Sequence, residues 1–119
     1  MTPFGEKLRE LRAARNMSLK AMAAALDVSP AYLSALEHGK RGQPTYIFVQ
    51  RTIAFFNIIW DEAEELMRLA QLSNPRVVID TAGLSPRATE LANRLARQVS
   101  RLDEDQLAAL LERLPREGG

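Results

Sequence analysis

The segment from Ser18 to Gly39 constrains the fold more than any other part of the sequence. Two stretches with helical apolar spacing, each of roughly eight residues, are joined there by a turn of only about three or four residues. Helices this short are rarely stable unless they cross tightly. Such a crossing requires a small residue on the first helix, then a sharp turn and an aliphatic side chain, and Ala23, Asp27 and Val28 occur in that order. The segment is therefore predicted to form a helix–turn–helix.

Helix-start signals recur along the chain, and no stretch shows a convincing strand pattern. Each signal is a residue that can cap the first turn of a helix, in several cases followed by the proline that suits the first helical position. The signals are Thr2-Pro3, Ser18, Ser29-Pro30, Asp61-x-x-Glu64, Ser85-Pro86 and Asp103-x-x-Gln106. Gly39 is predicted to end the third helix in the left-handed conformation. The sequence therefore predicts an all-α fold.

Two further stretches define the extent of the first domain. A fourth helix, from about Thr45 to Phe56, is rich in apolar side chains and is predicted to be the central core helix. Its apolar residues are Tyr46, Ile47, Val49, Ile53, Phe55 and Phe56. Within the candidate linker, residues 73–85, the run Val77-Val78-Ile79 is expected either to form a short extended piece or to pack across the core. We therefore expect a domain at 1–72, a linker at 73–85, a helical region at 86–114 and disorder at 115–119.

Composition excludes several classes of protein. The 119 residues contain no cysteine and one histidine, His38, which excludes a disulfide scaffold, a thiolate zinc site and most catalytic triads. The longest aliphatic run, Ala21 to Leu26, is too short to span a bilayer, and charges near the N-terminus leave no signal-peptide core. We therefore expect a cytoplasmic protein that is not an enzyme and that has no metal, no cofactor and no membrane contact.

The distribution of charge is more informative than the net charge of +1. Residues 1–42 carry seven basic and four acidic side chains, whereas residues 43–72 carry two basic and four acidic ones. The N-terminal third is therefore expected to meet an anionic partner.

Residues 4–72 carry a set of motifs at a specific spacing. They are Leu8-Arg9-x-Leu11-Arg12, Met17-Ser18-Leu19, Val28-Ser29-x-x-Tyr32-Leu33-Ser34-x-Leu36-Glu37-x-Gly39-Lys40, and Pro44 before the next helix. This set resembles the phage-repressor/Cro-like (XRE-type) helix–turn–helix family. The resemblance implies a five-helix repressor-like DNA-binding domain, followed here by two C-terminal helices, with double-stranded DNA as the partner. Two positions depart from the family pattern: Leu19 replaces a frequent glutamine that supports a DNA contact, and Asp27 replaces the favoured turn glycine.

The resemblance also implies roles for single residues. Arg12 and Glu37 correspond to a structural clamp between the first helix and the recognition helix; the alternative is that both are solvated surface charges. The recognition helix, residues 29–38, is expected to lie in the major groove. Its candidate base-contacting residues are Ala31, Tyr32, Ser34 and Ala35. They include no Arg, Asn or Gln, so direct base readout is expected to be modest, and the alternative for Tyr32 is packing on its neighbours.

Phosphate contacts are expected from donors that flank the recognition helix. The candidates are Arg15, Ser18, Lys20, His38, Lys40, Arg41 and Thr45. The helix N-termini at Ser18 and Thr45 add oriented N–H groups. For each of these side chains taken alone, a solvated surface position is the alternative.

The C-terminal helices carry an apolar stripe that must be buried somewhere. Its candidate dimerisation residues are Leu91, Leu95, Val99, Leu102, Leu107, Leu110, Leu111 and Leu114. Helix–turn–helix repressors generally bind as symmetric dimers, so we expect this stripe to join two protomers; the alternative is packing on the first domain.

Together these features predict a sequence-specific DNA-binding transcriptional regulator, a repressor that acts as a homodimer and is associated with the nucleoid. The alternative is a protein-interaction module of the same fold, such as an antitoxin or an adaptor. In that alternative the apolar face of the recognition helix, at Ala31, Tyr32 and Ala35, would dock a protein. For an activator, contact with RNA polymerase would fall on an acidic surface, for which Asp61, Glu62 and Glu65 are the candidates.

Overall fold

The structure is a computed structural model that describes residues 1–116. These residues form seven α-helices and one 3-10 turn and no strand, which confirms the predicted all-α fold. The helices are α1 (Pro3–Ala14), α2 (Leu19–Ala25), α3 (Pro30–Glu37), α4 (Tyr46–Phe56), α5 (Trp60–Gln71), α6 (Pro86–Gln98) and α7 (Glu104–Arg113), and the 3-10 turn is Val99–Arg101. Disorder is predicted at 115–119, and residues 117–119 of that range lie outside the described residues.

The predicted caps account for most helix starts. Asp103 and Gln106 form a reciprocal capping box at the start of α7. At four other predicted starts, a hydroxyl oxygen accepts a hydrogen bond from a backbone N–H in the first turn of the helix, which satisfies one of its free donors. The capping residues there are Thr2, Ser18, Ser29 and Ser85.

Three helices are followed by a left-handed residue that ends them. Asn16, Gly39 and Asn57 have φ values of 54°, 79° and 54° after α1, α3 and α4, which confirms the prediction for Gly39. In each case the next N–H donates back into the last turn of the helix, for example from Lys40 to the Ala35 carbonyl at 2.9 Å. The sharp exits of the chain from these three helices follow from these caps.

The start of α5 differs from the prediction. The helix begins at Trp60, and its N-cap residue Ile59 makes no side-chain hydrogen bond. Ile58 is buried, and its N–H donates to the Ile53 carbonyl 3.0 Å away at the end of α4. This apolar anchor determines where the chain enters α5, so Asp61 lies in the first turn as a favourable charge for the helix dipole and is not the cap.

The chain divides into two compact units, the first of which is Met1–Val77. Within it, α2 packs on α3, α1 packs on both α3 and α5, and α4 packs on α5. Side chains from all five helices meet in its core. The largest fully buried apolar side chains are Phe4, Leu8, Met22, Leu26, Leu33, Leu36 and Leu66.

Helix α4 turns only one of its apolar sides to the core. The predicted core residues Tyr46, Ile47 and Phe55 are exposed, so the prediction is wrong for these three. The helix is apolar around much of its circumference, and only the side that meets the neighbouring helices is covered. Its buried residues are Phe48, Val49, Thr52 and Phe56.

The run Val77-Val78-Ile79 is exposed and belongs to no helix or strand, so the predicted packing across the core does not occur. The second unit begins at Val78 and contains α6, the 3-10 turn and α7. Neither helix of this unit has a buried residue. A groove of about 360 Å³ in this unit is lined by four leucines and four polar or charged side chains; the leucines are Leu91, Leu95, Leu102 and Leu110. As described, this unit has no core of its own.

Candidate nucleic-acid interface

The turn between α2 and α3 is a Schellman motif. Asp27 adopts the left-handed conformation, with φ at 60°. Its N–H donates to the Ala24 carbonyl at 3.2 Å, and the Val28 N–H donates to the Ala23 carbonyl at 3.0 Å. A short aspartate side chain tolerates this conformation better than most residues do, so the tight turn forms although the family favours glycine there.

Helix α3 has one face in the core and one at the surface of the first unit. Leu33 and Leu36 are fully buried on the inner face. The structure brings the predicted base-contacting residues to the other face, which is accessible. On it, Ala31 is exposed and Tyr32, Ser34 and Ala35 are half-buried. Because three of the four are small, the α3 backbone can approach a ligand closely.

Arg12 and Glu37 form a bidentate ion pair between α1 and the end of α3. Arg12 Nη1 donates to Glu37 Oε2, and Nη2 donates to Oε1 at 3.3 Å. Glu37 is 1% exposed and the Arg12 side chain is 14% exposed, so neither is a solvated surface charge. Arg9 Nε lies 3.9 Å from Glu37 Oε1, a contact that sequence reasoning missed. Its spacing of three residues from Arg12, which places both on one helix face, is the signal that could have found it.

A close backbone contact reinforces this clamp. The Thr2 N–H donates to the Glu37 carbonyl at 3.0 Å, and a Cβ on Gly5 would overlap the same carbonyl group. Gly5 therefore permits the close approach of α1 to the end of α3. Sequence reasoning missed this residue, because a glycine inside an amphipathic helix carries no local mark of a packing role.

Most of the predicted phosphate donors are accessible. Lys20, Lys40 and Arg41 are exposed. Ser18 and Thr45 are exposed as well, and their hydroxyl oxygens accept backbone N–H groups at the starts of α2 and α4, which leaves the hydroxyl protons available to an anion. The chemistry of these five side chains fits contacts with phosphate oxygens.

His38 is the C-cap of α3, and its ring has a defined tautomer. Nδ1 lies 2.8 Å from the Ser34 carbonyl oxygen. Because a carbonyl oxygen only accepts hydrogen bonds, Nδ1 must carry a proton. The other nitrogen, Nε2, can therefore donate to a phosphate only when the ring is an imidazolium.

Arg15 has structural partners inside the first unit. Its Nη2 donates to the Phe56 carbonyl at 3.1 Å, and its guanidinium lies over the ring of Phe56, 4.8 Å from the centroid, and over that of Phe55 at 5.6 Å. These contacts join the end of α1 to the end of α4. A phosphate contact by Arg15 would have to use the N–H groups that the Phe56 carbonyl leaves free.

Tyr32 connects the outer face of α3 with the core and with the following loop. Its ring packs edge-on against Phe48, with the centroids 6.3 Å apart. The Tyr32 ring also contacts Arg41, whose guanidinium lies over the ring, 5.2 Å from its centroid. The structure thus brings together two residues that the sequence assigned to different roles, one to base contact and one to phosphate contact.

The predicted dimerisation residues form an uncovered stripe within the second unit. Some of these side chains are half-buried, such as Leu95, and the most exposed is Leu111, with a relative exposure of 69%. The structure brings four of the eight together around the groove described above. The remaining four are Val99, Leu107, Leu111 and Leu114.

Within residues 1–116, no helix is both long enough and apolar enough to cross a membrane. No three His, Cys, Asp or Glu side chains in the same part of the chain are grouped so that they could hold a metal ion.

Comparison with known proteins agrees with this geometry. Residues 3–73 match a protein family that is described as "Helix-turn-helix domain". The Bacillus subtilis (strain 168) protein named "Uncharacterized HTH-type transcriptional regulator RghRB" is 36% identical over 61 residues, which cover 51% of this chain but only 44% of that relative. No solved structure matches the chain significantly. Because the matched residues contain the whole of α1 to α5, with the turn at Asp27 and the clamp on α3, the chain belongs to the helix–turn–helix domain family and is XRE-like.

Proposed function

We propose that this protein is a sequence-specific DNA-binding transcriptional regulator, a repressor, with α3 in the major groove. The accessible outer face of α3 carries the proposal. The buried Arg12–Glu37 pair holds it against α1, and α2 and the loop after α3 carry exposed cations such as Lys20 and Lys40. A helix fixed in this way can enter the groove as a rigid body while the cations bind the flanking phosphates.

Selection from a library of randomised DNA duplexes at low salt tests this function. Lys40→Glu with Arg41→Glu is expected to weaken binding to a selected duplex about 100-fold or more, because two cations beside the DNA become anions that its phosphates repel. Arg51→Glu with Arg76→Glu is the matched control, since it changes the net charge equally at exposed positions outside α3 and its following loop. Failure to retain any duplex, or equal losses in the two double variants, would overturn the proposal.

We further propose that the protein acts as a homodimer joined through residues 86–114, while residues 1–72 bind DNA and residues 73–85 link the two parts. The uncovered apolar stripe of the second unit supports this, because a helical pair without a core needs a partner surface. Leu95→Glu is expected to produce monomers in sedimentation experiments. Asn93→Glu, which adds the same charge on α6 away from the stripe, is expected to leave the dimer intact; dimers in both variants would exclude this interface.

Two expectations follow from a DNA partner. Helix–turn–helix regulators are typically not enzymes, so we infer that this protein acts by binding alone, without a cofactor. A role on DNA also implies that it acts in the cytoplasm, at the nucleoid.

A protein-interaction role, as an antitoxin or an adaptor, is favoured by a separate observation. Ile59 and Trp60 are 62% and 82% exposed beside the acidic Asp61 and Glu62 at the start of α5. Exposed apolar side chains of this size, grouped together, are typical of protein contacts, and RNA polymerase is one candidate partner. If the protein acts only through such a contact, the Lys40 and Arg41 charge reversal leaves its activity in cells intact, whereas loss of activity supports DNA binding.

A further inference from the structure

We infer that Arg41 reads a guanine base in the major groove and that Tyr32 is the positioning residue that holds Arg41 for this contact. The inference rests on the proposed function, since it requires α3 to lie on DNA. Its starting point is the cation–π contact in which the Arg41 guanidinium lies 5.2 Å from the centroid of the Tyr32 ring. Tyr32 and Arg41 then contribute to a single base contact, and not to a separate base contact and phosphate contact.

The Tyr32 ring is a firm platform because the core fixes its orientation. The ring meets Phe48 edge-on at 6.3 Å, and Phe48 in turn meets Phe4 edge-on at 6.2 Å. Phe4 and Phe48 are buried. A chain of aromatic contacts that ends in the core leaves the ring little freedom to rotate away from Arg41.

The cation–π contact prepares the guanidinium for bidentate recognition. The Tyr32 ring attracts the Arg41 guanidinium without using up its planar fork of N–H donors, which remains available to a base. That fork matches the O6 and N7 acceptors of guanine, the commonest specific contact in the major groove. The ordering that such a contact requires has already been made in the free protein, so less entropy is lost on binding.

The position of Tyr32 favours a base over a phosphate. Tyr32 is the third residue of α3, in the N-terminal turn, and the N-terminal residues of a recognition helix are those that contact base edges. Ala31, Ser34 and Ala35 on the same face cannot make a bidentate contact with a base. Arg41 supplies the planar donor that α3 itself lacks, although it lies in the loop after the helix.

The test compares base preferences of the full-length protein and its variants on duplexes selected from a randomised library. Arg41→Lys retains the charge but has no planar fork. We expect it to lose the preference for guanine at one base pair of each half-site by about 5- to 150-fold, with the other positions unchanged. Lys40→Ala is the neighbouring control and is expected to weaken all duplexes alike, reducing the slope of log affinity against log salt by about one.

Two variants of Tyr32 separate positioning from folding. Tyr32→Phe retains the ring and is expected to retain the guanine preference. Tyr32→Leu preserves apolar contact with Phe48 but removes the aromatic face, and it is expected to lose the same preference as Arg41→Lys. A duplex with 7-deazaguanine at that position lacks the N7 acceptor and should bind wild-type protein less well, but Arg41→Lys no less well. Thermal melting of each variant verifies that it is folded.

The possible failures are distinguishable. If Arg41→Lys weakens every duplex equally and keeps the guanine preference, Arg41 is a phosphate ligand and the inference is wrong, while the proposed function stands. If Tyr32→Leu is folded and keeps a preference that Arg41→Lys loses, the positioning role of Tyr32 is wrong. If wild-type protein selects no duplex, the proposed function itself fails.

Discussion

At the scale of single residues, the Arg12–Glu37 pair makes the strongest prediction about stability. Arg12→Met would leave the Glu37 carboxylate, which is 1% exposed, with Arg9 as its nearby cation at 3.9 Å. Because Arg9 at that distance only partly compensates the buried charge, we expect the free energy of unfolding to fall by about 3 kcal/mol, the lower end of the cost of an unpaired buried charge. Urea denaturation followed by circular dichroism measures the change.

The double variant Arg12→Met with Glu37→Leu is the control for that experiment. It replaces both charges with apolar side chains, and we expect it to recover most of the lost stability. A double variant as unstable as Arg12→Met alone would show that the loss of stability comes from lost packing and not from the poorly paired carboxylate.

The left-handed turn at Asp27 makes a second prediction at this scale. Asp27 is exposed and has φ at 60°, so Asp27→Gly relieves backbone strain and is expected to raise the free energy of unfolding by about 0.5–1 kcal/mol. Asp27→Ala does not relieve this strain and is expected to lower the free energy of unfolding. Thermal melting of the two variants compares their stabilities, and a higher stability for the alanine variant than for the wild type would refute the explanation.

Residues with a local signature could be predicted from sequence, and residues whose role depends on a distant neighbour could not. Asp27 and Gly39 stand where a helix must end and turn, and their conformation follows from that position alone. Gly5 has its role only because the carbonyl of Glu37 approaches it from another helix. The cation–π contact of Arg41 with Tyr32 depends in the same way on the path of a loop that no local pattern describes.

At the scale of helices, starts were predictable where a side chain caps the first turn, and buried faces were less so. The N-cap hydrogen bond spans only three residues, and the sequence therefore contains all of it. The covered side of α4 depends on where the neighbouring helices lie, so Tyr46 and Ile47 fit the core pattern yet are exposed. Helix α5 starts where the buried Ile58 places it, which a capping pattern does not encode.

Ser73 joins two helices and makes a prediction at this scale. It is 2% exposed; its Oγ accepts the Phe4 N–H at 2.9 Å and donates to the Leu69 carbonyl at 2.6 Å. Ser73→Ala would leave a buried N–H at the start of α1 without a partner, so we expect a loss of about 1–3 kcal/mol in the free energy of unfolding. Asn74→Ala, at an exposed neighbouring position, is expected to change it by less than about 0.5 kcal/mol.

Loss of stability in Ser73→Ala would show that the segment just beyond α5 is part of the first unit's core. Equal stability of the Ser73 and Asn74 variants in urea would mean that water replaces the lost hydroxyl. The hydrogen bond from the Phe4 N–H to Ser73 would then contribute little to the free energy of unfolding.

At the scale of the whole molecule, the two units differ in how their apolar side chains are covered. Every fully buried apolar residue among residues 1–116 lies in the first unit. The second unit has an amphipathic helix pair whose apolar side chains are half-buried or exposed. The first unit is therefore expected to fold alone, whereas the second requires another surface to bury its stripe.

A chain truncated after Val77 tests this division. We expect it to unfold in a single cooperative transition and to sediment as a monomer, because it has its own core but lacks the apolar stripe. Since a dimer binds its second half-site at a high effective concentration, the truncated chain should bind a duplex with two half-sites about 100-fold more weakly than the full chain and no better than a duplex with one. If the truncated chain sediments as a dimer, the protomers associate through the first unit, and the exposed side chains of α4 and α5 become the surfaces to mutate next.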